Sequence, residues 1–315
     1  MKSILSCFIV CTLVSVGVMA QTDQNQTKGS TSGQAFRKVG AAGGQFLKVA
    51  VGARANAMGG AFSAISNDLS GLFYNNAGIV DIKGYAADIS YTQWFGGYSH
   101  NFLAGVIPVG DKYRVALSVT SFSSGDIPFT TVEDGGRLGL TYQVADFAIG
   151  GTFSAFLTEQ FSFGVTAKYI QNSIASMNAN GIVLDIGTLY RFSGYRVGFS
   201  ISNLGPQMTY SGQNQNLKIQ PIPGLQQQTL DAQLSSSAFN LPLAFKAGIA
   251  CDLMSELFDM YESAPDLGMS QSREHRLLFG ADFETLADVS EQFSLGTEYT
   301  WNDLLSLRGG YRFGQ

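Results

Sequence analysis

Residues 161 to 169 read Phe161-Ser162-Phe163-Gly164-Val165-Thr166-Ala167-Lys168-Tyr169. The large or apolar side chains fall at every second position, and Ser, Gly, Thr and Lys fall between them without exception. Successive side chains of a β-strand point to opposite faces, so this segment is a strand with one apolar and one polar face. The pattern repeats outward from here. Phe293, Leu295, Tyr299 and Trp301 oppose Ser294, Gly296, Glu298 and Thr300, and Leu277, Phe279, Ala281 and Phe283 oppose Glu274, Arg276, Asp282 and Glu284. Leu305, Leu307, Tyr311 and Phe313 oppose Ser306, Arg308 and Arg312. Segments 182–192 and 241–253 alternate too, and 85–94, 98–109, 113–122, 146–157 and 195–203 read as strands, with 98–109 apolar on both faces. The count is about eleven.

Which face is wet decides the class. A soluble sandwich puts its apolar face inside, and it could not satisfy the charges on the polar face here, Lys168, Asp185, Arg191, Lys246, Asp252, Arg276, Asp282, Glu298 and Arg308. A barrel with a watered lumen can. The segments also run to the roughly 9 to 11 residues that a tilted membrane strand needs, and Tyr91, Trp94, Tyr169, Tyr190, Trp301 and Tyr311 stand at segment ends, where interfacial girdles belong. The fold expected is an all-β transmembrane barrel of the outer-membrane type.

The tight connections at 110–112, 158–160, 193–194 and 302–303 follow even-numbered strands and belong at the periplasmic end. The long ones at 122–145, 171–180 and 204–240 follow odd strands and face outward. Residues 254–272 are the exception, a long connection on the periplasmic side. An odd number of strands cannot close antiparallel, so an open barrel is expected, with a gap between 85–94 and 304–313 and a C-terminally incomplete 85–315.

Lys2, the apolar run from Ile4 to Val18, and Val18-Met19-Ala20 make residues 1–20 a signal peptide. Its loss leaves 18 basic against 24 acidic side chains, near −6, a balance that argues against nucleic acid as a partner. It also leaves Cys251 as the only cysteine, so no intramolecular disulfide is expected. Residues 21–39 are polar and aperiodic, a flexible leader. Residues 40–84 are rich in Gly and Ala and read as compact short helices and turns fitted into the lumen, a hatch.

The hatch carries the clearest motif. Gly52-Ala53-Arg54-Ala55, Met58-Gly59-Gly60-Ala61-Phe62, Asn67-Asp68 and Tyr74-Asn75-Asn76-Ala77-Gly78 resemble the PorV/PorQ-type family of outer-membrane proteins, within the wider FadL-like fold. The family has Pro where Asn76 stands. The resemblance implies a fourteen-stranded barrel with a lumen hatch, about three C-terminal strands more than are visible here. It also implies the cell outer membrane as location, with outer-membrane lipid and secretion-system proteins or secreted cargo as partners. The role implied is a non-enzymatic one in type IX secretion, as substrate shuttle or as translocon or attachment partner. The alternative from the FadL-like relatives is a transporter for small hydrophobic compounds. Arg54, Gly59, Gly60, Asp68, Asn75 and Asn76 are the hatch residues expected to matter, with Arg54 and Asp68 pinning it to the wall.

No phosphate loop, nucleophile elbow or metal-spaced Cys/His cluster is present, and no cofactor is expected. His100 and His275 are expected at the surface or interface. Asp282 and Glu284, two apart on the lumen face, are expected to pair with Arg276, Arg308 or Arg312 rather than to act as an acid/base couple.

Overall fold

The computed structural model describes residues 42–130, 135, 139–212, 216–219, 230–233, 236–254 and 275–314. The expected signal peptide and leader lie outside these residues.

Eleven long strands form one antiparallel sheet in sequence order. They are β1 Ala86–Gln93, β2 Ser99–Val109, β3 Tyr113–Ser123, β4 Val144–Phe156, β5 Phe161–Ile174, β6 Met177–Phe192, β7 Tyr195–Leu204, β8 Ala244–Asp252, β9 His275–Leu286, β10 Val289–Trp301 and β11 Leu305–Phe313. Ser211–Gly212 adds a short rung to β6. The sheet has two rims. The near rim carries the turns 110–112, 157–160, 193–194 and 302–304, the far rim carries 94–98, 175–176 and 287–288, and the longer connections after β3, β7 and β8 are described only in part, the expected periplasmic connection 254–272 lying outside the described residues beyond 254.

The alternation places the apolar set outside. Ile89, Leu103, Leu117, Val165, Ile186, Phe199, Phe293 and Leu307 are exposed, and their neighbours Thr166, Asp185, Ser200, Ser294 and Glu298 are buried. A polypeptide with this inversion is solvated by lipid on its outer face. The fold is an outer-membrane β-barrel sheet with a hatch inside its curve.

Two expectations change. Residues 171–180 are not a long connection: β5 and β6 continue to Ile174 and Met177 and turn through Ala175 and Ser176 alone. Polar residues stand on both faces there, as Gln171↔Asn180 and Ser173↔Asn178. Alternation fades where both faces are polar, although the ladder continues. The inner face, second, is not lined by water throughout. Residues 42–82 lie against it, and Thr166 donates or accepts at Thr152 and receives the Asn76 amide at 2.8 Å. This also explains β2, which is apolar on both faces because Phe102, Ala104 and Val106 pack on Val51, Leu69, Leu72 and Ile79 of the hatch.

β1 pairs only with β2 and β11 only with β10 among the described residues. As first and eleventh strands of an antiparallel series, both run from the near rim to the far rim, so they cannot form an antiparallel seam with each other.

The face assignment has a direct test. Val165→Arg, outward near the middle of β5, should cost about 2–4 kcal/mol in reversible folding into lipid, and Gln160→Arg in the adjoining turn about 0–1 kcal/mol. Equal costs would reject the assignment.

Candidate functional site: the hatch and its seat

The hatch is built from short pieces, because Gly52, Gly59, Gly60, Gly71 and Gly78 interrupt its alanine-rich runs and glycine is a poor helix former. A 3-10 turn spans Gln45–Lys48, α1 spans Ala53–Ala57, α2 spans Gly71–Tyr74, and a second 3-10 turn spans Asn76–Asp81. The segment enters at the far rim, where Gly43 N–H donates to Asn240 O at 2.8 Å and Lys48 Nζ lies 2.8 Å from Asp288. It leaves at the near rim, where Asp81 meets Arg191 at 2.8 Å and Arg114 donates to Ile82 O at 2.7 Å.

Between these ends the backbone of the hatch touches the wall through a belt of inward glycines, one on each strand from β5 to β11. A methyl group at Gly164 would stand 2.6 Å from Asn76 C, at Gly198 2.3 Å from Ser63 O, at Gly280 2.9 Å from Ala61 O, at Gly296 2.4 Å from Met58 O and at Gly310 2.1 Å from Met58 C. Gly187 and Gly248 complete it, against the Asn75 and Asn76 side chains and against Asp282 and Ala64 N. The belt runs in three register rows, Gly164 opposite Gly187, Gly198 opposite Gly248, and Gly280, Gly296 and Gly310 together, and it steps by two residues from one row to the next. Sequence reasoning read Gly164, Gly187, Gly248 and Gly296 only as members of the polar face and gave Gly198, Gly280 and Gly310 no role. The available signal was their recurrence in mid-strand, where glycine marks close approach of another backbone.

An irregular segment buried in a barrel leaves many backbone groups without partners, and each must find one. The wall supplies them. Asp282 accepts from Phe62 N–H at 3.0 Å and Ser63 N–H at 2.7 Å, Ser162 donates to Ala77 O at 3.1 Å, Ser200 to Tyr74 O at 2.7 Å, and Arg312 to Gly59 O at 3.2 Å. Asp282 therefore serves the hatch rather than an arginine, and Glu284 faces Lys246 at 3.4 Å. The expected pairing with Arg276, Arg308 or Arg312 is corrected accordingly. The ammonium of Lys246 also sits over the Phe73 and Tyr74 rings.

The charged centre of the site is Glu298 on β10, 1% exposed in its side chain. Arg54 grips it with two bonds of 2.7 and 2.8 Å, Arg308 donates at 2.5 Å, and Arg276 stands at 3.8 Å. Arg54 also reaches Asn67 at 2.6 Å and Asp68 at 3.0 Å. Burial alone would pull the Arg54 guanidinium down, but the bonds and charges of Glu298 and Asp68 outweigh it and hold it above its ordinary value. Burial likewise pushes the Tyr74 phenol up.

Each of the expected hatch residues has a definite place. Arg54 and Asp68 do meet, but Asp68 belongs to the hatch and turns back on Ser70, and the wall partner is Glu298, which sequence reasoning placed only on the lumen face. Gly59 and Gly60 lie against β11, where a methyl group would strike Tyr311 N at 2.7 Å or Arg312. Asn75 caps the 3-10 turn at Ala77 N–H and donates to Ser63 O and Thr188 O, while Asn76 donates to Thr166 and Asp185 O. With Asn rather than Pro at 76, the amide adds two bonds to the wall that a pyrrolidine ring lacks.

His100 is buried on the inner face of β2 beside Phe122, contrary to the expected surface position, whereas His275 is half-buried and bonds Tyr299 at 2.7 Å. Among the described residues no group of His, Cys, Asp and Glu could hold a metal ion.

The fold and this seat define a class, the hatched β-barrel of outer-membrane type. The family profile described as "Type IX secretion system protein PorV" matches residues 32–223, more than half of the chain. The chain belongs to that family. No curated protein matches it. Among solved structures, the "CymD monoaromatic hydrocarbon channel" is 13% identical with a TM-score of 0.44, over 85% of this chain and 94% of that one. A Pseudomonas aeruginosa FadL homologue is 13% identical with a TM-score of 0.43, over 82% and 79%.

Two outcomes are expected of the seat. Glu298→Gln should destabilise the chain by about 3–5 kcal/mol, because Arg54 and Arg308 then lose the charge they share in a buried place; denaturant unfolding measures it. Gly296→Leu should leave the sheet intact but unseat the hatch, seen as raised ion conductance in planar bilayers, while Gly309→Leu, outward on β11 with open space around it, should leave conductance unchanged.

Proposed function

We propose that this chain resides in the cell outer membrane and serves type IX secretion without enzymatic activity, as a substrate shuttle or as a partner of the translocon or attachment machinery. Its parts on this reading are a signal peptide at 1–20, a leader at 21–39, a hatch at 40–84 and a barrel from 85 onward. One observation carries the reading beyond family membership. The hatch makes backbone contact with seven consecutive strands, and the cavity between it and the wall lined by Phe46, Val49 and Leu72 is about 50 Å³. A lumen so filled is a scaffold rather than a path. Work on other proteins then falls to the connections of the far rim, which face outward on this reading.

The alternative is transport of small hydrophobic compounds past the hatch, as in FadL-type transporters. It requires a pocket on the scale of a small molecule, roughly 300–1,000 Å³, and the cavity beside the hatch falls well below that.

Cross-linking in native outer membrane followed by mass spectrometry should recover secretion-system proteins or secreted cargo. Deleting the gene should halt export of that cargo and leave uptake of small aromatic and aliphatic compounds unchanged. Normal export with lost uptake would reject the proposal in favour of transport.

A further inference from the structure

Not every mid-strand glycine belongs to the belt. Gly105 on β2 and Gly151 on β4 point outward, and a methyl group at Gly151 would meet nothing within 4 Å, while at Gly105 it would meet only Ala86 O at 3.9 Å. Nothing among the described residues uses their smallness. Glycine inside a strand weakens it, and its usual reason is close approach of a ligand or another backbone.

The register shows what these positions make together. Ala87, Gly105, Leu117, Gly151 and Ala167 lie side by side on β1 to β5 and form one row on the outer face. The next row toward the near rim is bulky, with Ile107, Val115, Phe153 and Val165, and Tyr85 stands at its end. Floor and wall bound a shallow groove on the outer face, open to the surroundings and overwhelmingly apolar.

Charge says what fills it. Lys83 and Lys112 are both exposed at the near rim, Lys83 two residues before Tyr85 and Lys112 three before Val115, and Asp111 beside them leaves that stretch net positive. Leu117 lies five residues from Lys112, about 17 Å along a strand, close to half of the roughly 30 Å hydrocarbon core. A molecule with an anionic head at the lysines and an apolar chain of one leaflet's length reaches the groove.

We propose that this groove is a specific site for one glycerophospholipid, its phosphate on Lys83 and Lys112 and an acyl chain laid over Gly105 and Gly151. The proposal rests on the outer-membrane placement argued above.

The test uses the full chain extracted from native membranes in mild detergent, with bound phospholipid counted by native mass spectrometry. Gly105→Leu with Gly151→Leu should lower retained phospholipid about tenfold, the loss expected when about two methylene groups are lifted off the surface. Lys83→Glu with Lys112→Glu should lower it as well, and Gly309→Leu should not. A photo-reactive residue replacing Leu117, in a chain otherwise unaltered, should form phospholipid adducts in intact membranes severalfold more often than one replacing Leu295, outward on β10 and away from the groove, whether or not the filled variants fold. Unchanged retention in both double variants, or protein adducts at position 117, would overturn the site, the latter in favour of a partner's membrane segment. Fractionation of the same cells separates the two claims: a chain found outside the outer membrane defeats the functional proposal itself, whereas a chain found there without retained lipid defeats only the site.

Discussion

Contact between the backbone of the hatch and the backbone of seven strands is the constraint from which the rest of the architecture follows. Side chains ordinarily keep two backbones well apart. Here Met58 and Gly59 lie so near β10 and β11 that any Cβ at Gly296 or Gly310 would overlap them. Along the glycine belt, where the two backbones meet, the carbonyls and N–H groups of the hatch are met by wall side chains directly. The polar inner face of the strands supplies these partners. Ser162, Ser200, Asp282 and Arg312 are hydrogen-bond partners for hatch backbone rather than the lining of an open channel.

The same constraint explains which charges can be buried. An isolated ion in such a place is expensive, and a pair repays the expense only with good geometry and further bonds. Glu298 meets this with three arginines and a two-bond grip from Arg54, and Asp81 does so with Arg191 and Arg196 at the near rim. Lysines serve the far half, Lys48 on Asp288 and Lys168 on Asp185. Guanidinium forks onto the carboxylates Glu298 and Asp81, whereas ammonium acts as a point charge, Lys168 reaching Asp185 and Asn203 together.

How much of this was legible beforehand depends on the physics behind each feature. Strand existence, the sidedness of the sheet and the number of long strands were legible, because lipid outside and polar partners inside impose period 2 over whole strands such as Phe161–Ile174. Its last turn was not, because Gln171 to Asn180 is polar on both sides and so carries no alternation. Arg54 and Asp68 were found from a local motif. Glu298 could not be matched to them, since 244 positions separate it from Arg54 and only the curve of the sheet around the hatch brings the two together. Thr166 was read as water-facing for the same reason: alternation reports that a face is polar and is silent on whether water or another segment of chain satisfies it.

Glycine makes the limit sharper. Gly151 and Gly164 stand on neighbouring strands, each embedded in an alternating run, and composition treats them alike. Alternation assigns Gly164 to the polar face, and there the hatch backbone fills the space a side chain would occupy. It assigns Gly151 to the lipid face, and there the space is open. A residue without a side chain gives no polarity of its own, so its meaning comes entirely from what stands opposite. On the inner face that is the chain itself, which fixes the hatch. On the outer face it is whatever the membrane brings, and the absence of a Cβ at Gly105 and Gly151 shapes the surface for it.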